Sequence, residues 1–109
     1  MLAALTAIDP DDVSPIVIGP GCTRRDLAAP SGVRVWIVDM LPGAQWPKVD
    51  VHDETGEVVF VLDGELIEGE QRLAAGTYLV FGPHSRHQPR TDTGVRLLGF
   101  NLQPGRLQS

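Results

Sequence analysis

Turn-forming residues recur about every ten residues along this chain, and the segments between them are too short for helices of useful length. The chain has 12 glycines and 9 prolines among its 109 residues. They cluster in breaks such as Gly19-Pro20-Gly21, Pro42-Gly43 and Gly82-Pro83. Between the breaks lie runs rich in β-branched and aromatic residues, which favour strands. Roughly eight or nine short strands with regular turns predict an all-β fold, a single small barrel of the jelly-roll kind.

The length suits one domain with one core. We expect an N-terminal arm over residues 1–12, which ends in the run Asp9-Pro10-Asp11-Asp12. A barrel domain over residues 13–104 and a polar tail over residues 105–109 follow. Within the domain, residues 24–29 predict one helical turn, which Pro30 stops.

The apolar run over residues 57–62 predicts a strand, and the Asp63-Gly64 pair after it predicts a hairpin with residues 65–68. Both faces of this strand are apolar, with Val58, Phe60 and Leu62 on one side and Val59 and Val61 on the other. Such a strand is typically buried on both sides. Because a small barrel has one interior, the outer face needs a cover, either the N-terminal arm or a second subunit. We therefore expect a homodimer.

Charge and composition exclude several classes of partner. The formal net charge is −5, from 14 acidic and 9 basic residues. This balance, without a cluster of basic residues, argues against nucleic acid and anionic membranes as partners. No stretch approaches the roughly 20 apolar residues of a membrane-spanning helix. Cys22 is the single cysteine, so no intrachain disulfide forms, and we expect a cytoplasmic protein.

Four side chains predict a metal site. Asp50 and His52 are two residues apart, so they point the same way on an extended strand. Glu57 begins an apolar strand, where an unpaired buried carboxylate would be costly, and His87 follows a second strand and a turn. Pairing of the two strands would bring all four together. Such nitrogen and oxygen donors bind one divalent ion of iron, manganese, nickel or zinc.

The role of Asp50 stays open between a fourth ligand and a solvent-facing residue. Since the histidines must be neutral to bind a metal, we expect the affinity to fall below about pH 6. Trp36, Met40 and Asn101 are the candidate residues for a small-molecule pocket beside the metal. The alternative is that Trp36 and Met40 belong only to the core and that Asn101 faces the surface.

Two segments carry a family resemblance. Residues 56–66 resemble the first motif of the cupin superfamily, whose paired histidines, glutamate and glycine are matched by His52, Glu57 and Gly64, with Asp50 in place of the first histidine. Residues 76–87 resemble the second motif, through its glycine and its histidine, His87. The chain is also similar to the cupin-like half of zinc-binding anti-sigma factors. The resemblance implies a cupin-like double-stranded β-helix with a metal at these positions.

Three functional hypotheses follow. The first is an enzyme, either a non-haem Fe(II) dioxygenase or a metal-dependent isomerase or cyclase that polarises a carbonyl. The second is a non-catalytic module in which metal and pocket bind a small molecule for sensing or regulation. The third is a degenerate cupin that has lost its metal and kept only the barrel.

Overall fold

The computed structural model describes residues 4–102 and confirms the all-β, jelly-roll prediction. One short 3-10 helix, Pro10–Asp12, precedes the strands. The nine strands are β1 Ile16–Gly19, β2 Cys22–Leu27, β3 Val33–Met40, β4 Asp50–Val51, β5 Glu57–Glu68, β6 Gln71–Ala74, β7 Tyr78–Phe81, β8 Arg86–His87 and β9 Val95–Leu102. The tail at residues 105–109 and the first three residues of the arm lie outside the described residues, and the domain limits stay a prediction.

All strands pair antiparallel. The main sheet has the order β1-β2-β3-β9-β5-β6, and β7 pairs with the first part of β5. The strands β4 and β8 form a separate two-stranded sheet. In the described part of the chain, no helix is long and apolar enough to cross a membrane.

The core lies between the inner faces of the strands, and alternation along each strand decides which residues reach it. On β3 the side chains of Trp36, Val38 and Met40 are buried in one cluster, as the period-two pattern predicts. They meet Val59 and Val61 from β5. The same inner faces form the walls of the cavity described below.

The hairpin predicted at Asp63-Gly64 is wrong, because β5 runs without interruption through this pair. Gly64 has a φ of 78°, and the pairing of β5 with β9 shifts register between Val61 and Asp63. This shift is a β-bulge at Leu62, and Gly64 follows it at a position that is paired with Val95. A Cβ atom on Gly64 would collide with the carbonyl oxygen of Gly94, so position 64 requires glycine.

The predicted helical turn over residues 24–29 is also wrong. This segment lies mostly in β2, whose residues pair in register with β3 from Cys22 opposite Met40 to Leu27 opposite Val35. The arginines and alanines of the segment favour a helix in isolation. Pairing with the long buried strand β3 outweighs that weak preference.

Candidate metal centre

The small sheet of β4 and β8 brings three of the four predicted donors together. Asp50 pairs in register with His87. His52 directly follows β4, and its backbone N–H donates to the carbonyl of Ser85 over 2.9 Å. Glu57 enters from the main sheet, where it is paired with Phe81. The convergence expected from the sequence therefore depends on two separate sheets.

The side chains of these residues are close enough to share one ion. One donor atom from each of Asp50, His52, Glu57 and His87 lies within 4.8 Å of the others. His87 Nε2 is 3.2 Å from Asp50 Oδ2, and His52 Nε2 is 3.6 Å from Glu57 Oε2. Ligation by the four residues remains a prediction, but their donor chemistry fits the ion.

His52 supplies an independent reason to expect a ligand at this point. The residue is 6 % exposed, and its Nε2 atom has no hydrogen-bond partner among the described residues. Buried polar atoms of folded proteins nearly always have a partner. A metal ion at Nε2 would satisfy this atom, whereas the distance to Glu57 is too long for a hydrogen bond.

Aromatic packing restricts the orientation of both imidazoles. The ring of Phe81 stacks on His87 with centroids 4.2 Å apart and packs against His52 with centroids 5.0 Å apart. The two imidazole centroids are 4.8 Å apart. Phe81 therefore holds the two rings side by side at the wall of the site.

Glu68 is a part of the site that the sequence did not reveal. Its Oε1 atom is 2.7 Å from His87 Nδ1, so this nitrogen is engaged and Nε2 is directed toward Asp50. A carboxylate on the second ring nitrogen is the usual device that orients a metal-binding histidine. Glu68 lies at the far end of β5 from Glu57, and no motif or local spacing connects it to His87.

The electrostatics of the group depend on burial and on mutual hydrogen bonds. Burial raises the pKa of Glu57 to about 7, and the charge of Asp50 adds to this rise while the charges of His87 and Arg34 oppose it. Burial lowers the pKa of His52. Burial also disfavours charge on His87, but hydrogen bonds to Asp50 and Glu68 outweigh it and raise the pKa of His87 to about 9.

A cavity of about 290 Å³ adjoins the four donors. The predicted pocket residues Trp36, Met40 and Asn101 all line it. Trp36 and Met40 belong to the buried core as well, so they are core residues that also line the cavity. The indole Nε1 of Trp36 donates to Asn101 Oδ1 over 3.3 Å, which fixes both side chains at the wall. Their role in ligand binding stays a prediction.

Two arginines line the cavity as well, and the sequence analysis had assigned neither to it. Arg24 and Arg34 lie on β2 and β3. Arg24 is engaged by Asp26, with Nε to Oδ1 at 2.9 Å and a second hydrogen bond at 3.2 Å. Because side chains alternate along a strand, Arg34 lies on the same inward face of β3 as Trp36. By contrast, Arg86, which precedes His87 on β8, is exposed.

Comparisons with known proteins agree with this geometry. The family model of the ChrR cupin-like domain matches residues 4–104. The structure of Rhodobacter sphaeroides SigE in complex with the anti-sigma ChrR is similar, with a TM-score of 0.74, 18 % identity, and coverage of 84 % of this chain. This chain spans about half of that matched chain, 49 %. No curated protein matches the sequence.

Two further structures match nearly end to end. An RmlC-like cupin from Shewanella frigidimarina aligns with a TM-score of 0.70 and 22 % identity, covering 85 % of this chain and 86 % of the other. KdgF from Halomonas sp. aligns with a TM-score of 0.76 and 16 % identity, covering 92 % and 96 % of the two chains. Identities this low show the fold alone, and the resemblance to cupins expected from the two motifs is confirmed by the family model over residues 4–104.

Proposed function

The chain belongs to the family of ChrR cupin-like domains, and from this premise we propose that it binds one divalent metal and a small organic molecule beside it. The metal ligands are Asp50, His52, Glu57 and His87. One observation carries the proposal: the four donor atoms lie within 4.8 Å of one another at the wall of a cavity of about 290 Å³. A concave, partly apolar site with a few convergent polar groups is the usual form of a small-molecule site.

A divalent ion of iron, manganese, nickel or zinc, when bound, supplies Lewis acidity toward a carbonyl or carboxylate oxygen. The chain's own residues position the reactants. Trp36 and Met40 provide an apolar wall, and the amide of Asn101 provides one polar contact. Isomerisation or cyclisation of a compact metabolite is the chemistry that this wall favours. Dioxygenation would require Fe(II), and oxygen consumption by the Fe(II)-loaded protein with substrate would identify it.

Metal content is the direct test of the site. We expect protein purified without chelator, then titrated with Fe(II), Mn(II), Ni(II) or Zn(II), to bind about one ion per chain. His87→Ala should abolish stoichiometric binding, and Asp50→Ala should weaken it less. His84→Ala is the matched control, because His84 lies in an exposed turn outside the cluster. Full metal occupancy in His87→Ala would refute the assignment.

A sensing or regulatory module is the second candidate function. It is supported by the similarity to the chain in the SigE complex with the anti-sigma ChrR. In that case the metal and the cavity bind a ligand without turnover, and the regulatory signal is passed on through another protein or domain. Ligand binding without any product by mass spectrometry would favour this function, whereas turnover would favour the enzyme.

We also propose that a second copy of the chain covers the outer face of the main sheet. On this face Phe60 lies in register between Tyr78 and Leu98, and Val58 lies between Val80 and Phe100. The side chains of Tyr78 and Val80 are 62 % and 67 % exposed. Contiguous exposed apolar surface of this kind is typical of interaction sites.

The N-terminal arm covers a different part of the same face. Arg96 donates to Asp11 over 2.8 Å, and Arg25 donates to the carbonyl of Val13 over 2.9 Å. The first contact joins the end of the arm to β9, and the second joins Val13, which directly follows the arm, to β2. The cover by the arm that the sequence allows is thus supported beside β2 and β9, and the proposed second copy covers the exposed side chains of β5 and β7.

A further inference from the structure

Arg34 lies on the inner face of the barrel, in one row with the metal centre. It pairs in register with Asn101 across β3 and β9. On the next strand, Val58 pairs with Phe100, so Glu57 is the residue that follows Asn101 in this row. Two strand spacings of roughly 4.8 Å each separate the backbone of Arg34 from that of Glu57 by about 10 Å. Both residues line the cavity.

The guanidinium of Arg34 has no carboxylate partner among residues 4–102, although ion pairs engage most other arginines of this region. The other cavity arginine, Arg24, is paired with Asp26. Arg34 is partly buried, and no hydrogen bond of its side chain to the described residues is formed. A guanidinium at a cavity wall thus has its planar set of donors available for a ligand.

The distribution of charge along the cavity is uneven. Asp50, Glu57 and Glu68 gather at the end that holds the two histidines, and a divalent ion offsets their charge there. Arg34 contributes a positive charge two strands away from Glu57 in the same row, with the apolar surface of Trp36 beside it on the same strand face. This arrangement suits a ligand that is polar at both ends and compact between them.

We propose, on the basis of the proposed metal centre, that the cavity binds small carboxylic acids and that Arg34 recognises the carboxylate. The acid group accepts two hydrogen bonds from the guanidinium, a geometry that planar arginine provides and lysine does not. The other polar end of the ligand faces Asp50, His52, Glu57 and His87. Arg34 is thus a specificity residue for an anionic metabolite class.

The test compares an acid with its amide, so that only the charge at one end changes. The probes are succinate and glutarate against their monoamides, succinamate and glutaramate, titrated calorimetrically into metal-loaded protein. We expect the wild-type protein to bind the diacid at least about tenfold more tightly, since charge-assisted bidentate hydrogen bonds are lost with the amide. In Arg34→Gln the ratio of the two affinities should fall to about one.

Arg24→Gln is the matched control, because it removes the same group from the same cavity where Asp26 already engages it. This variant should keep the preference for the diacid. Equal affinities of acid and amide in the wild-type protein, binding of neither, or a preference that persists in Arg34→Gln would each overturn the role of Arg34. The metal titration is a separate measurement: failure of the wild-type protein to bind metal would refute the proposed function, and Arg34→Gln should keep the stoichiometry of about one ion per chain.

Discussion

At the scale of single residues, Glu68 is expected to control the metal affinity without touching the metal. Glu68→Gln keeps the size of the side chain but weakens its hold on His87 Nδ1, which lies 2.7 Å away. Loss of such an orienting carboxylate typically costs roughly 10- to 100-fold in metal affinity. Calorimetric titration with Zn(II) measures the change.

Glu70→Gln is the control for Glu68→Gln, since it makes the same change in charge at an exposed turn position two residues away. This variant should bind metal as the wild-type protein does. An unchanged affinity in Glu68→Gln would mean that Phe81 alone fixes the ring of His87.

The pKa values of the site shift the pH range over which metal binds. The pKa of His87 is raised to about 9 and that of Glu57 to about 7, so both lose a proton to the metal near neutral pH. Affinity should therefore start to fall below about pH 9 and fall more steeply below about pH 7. The sequence analysis expected the metal affinity to fall only below about pH 6, because it assumed histidines with an unperturbed pKa. Titration in buffers of different ionisation enthalpy should show proton release, and none at pH 7 would contradict these protonation states.

The sequence sufficed to bring together the four donors, and it also named Trp36, Met40 and Asn101, which line the cavity. Asp50 and His52 share a strand face, and Glu57 and His87 stand at motif positions, so their convergence was predictable. Glu68 and Arg34 reach the site through the curvature and register of strands far apart in the chain. Side-chain parity places such residues on a face, but it does not say which distant strand lies opposite.

At the scale of structural elements, Gly64 beside the bulge in β5 gives a testable prediction. Gly64→Ala should lower the free energy of unfolding by several kcal/mol, because the added Cβ strains a φ of 78° and collides with the backbone of Gly94. Gly69→Ala separates the two effects, since Gly69 has a φ of 58° and open space within 4 Å. It should cost only about 1 kcal/mol. Chemical denaturation measures both, and equal losses would show that the close approach contributes nothing.

The outer face of β5 and β7 gives the second prediction at this scale. Tyr78→Glu and Phe60→Glu should each convert a dimer into monomer, since a charge buried between two apolar sheets is costly. Tyr78 is the safer site for folding because its side chain is the more exposed of the two. Val17→Glu, at a strand residue that is 77 % exposed on the far edge of the sheet, should leave the assembly unchanged.

Sedimentation of the wild-type protein and the three variants gives the answer. A monomeric wild-type protein at micromolar concentration would refute the dimer and leave the apolar face for another partner.

The two elements that the sequence analysis assigned wrongly share one physical cause. Asp63-Gly64 and residues 24–29 were judged by local preference, for a tight turn and for a helical turn. In the fold, β9 and β3 offer continuous backbone partners beside these segments. Ladder pairing with a neighbour that is distant in sequence outweighs local preferences of a few tenths of a kcal/mol per residue.

At the scale of the whole molecule, the site should set how stability depends on pH. In the metal-free protein the pKa of Glu57 is about 7 and that of His87 about 9, both above their ordinary values. Through these two groups the folded state binds more protons than the unfolded state, and their contribution to the free energy of unfolding falls as pH rises. The lowered pKa of His52 acts in the opposite direction near and below its ordinary pKa of 6.5, so the fall should be clearest above that pH, where His87 titrates. The loss extends over about pH 4.5–7 for Glu57 and about pH 6.5–9 for His87.

Metal should reverse this trend, because it binds the deprotonated ligands of the folded state and its affinity rises with pH. Thermal unfolding between pH 5.5 and 9, with chelator and with excess Zn(II), measures both curves. We expect the melting temperature to fall with pH in chelator and the gap between the curves to widen. A melting temperature that rises with pH in chelator would contradict the assigned protonation states.

The length of β5 has a consequence for the molecule as a whole. Its 12 residues would extend roughly 36 Å if straight, close to the 40 Å longest dimension of the molecule. Nevertheless Glu57 at one end and Glu68 at the other both line the same cavity, so the strand curls around it.

The width of the cavity therefore depends on the curl of one strand whose outer face is exposed. If a second copy of the chain changes the curvature of β5, the distance between Glu57 and Glu68 inside the cavity changes with it. By thermodynamic linkage, a ligand that binds more tightly at one cavity width also stabilises the assembly that has this width. Ligand affinity that varies with protein concentration is the signature of such coupling.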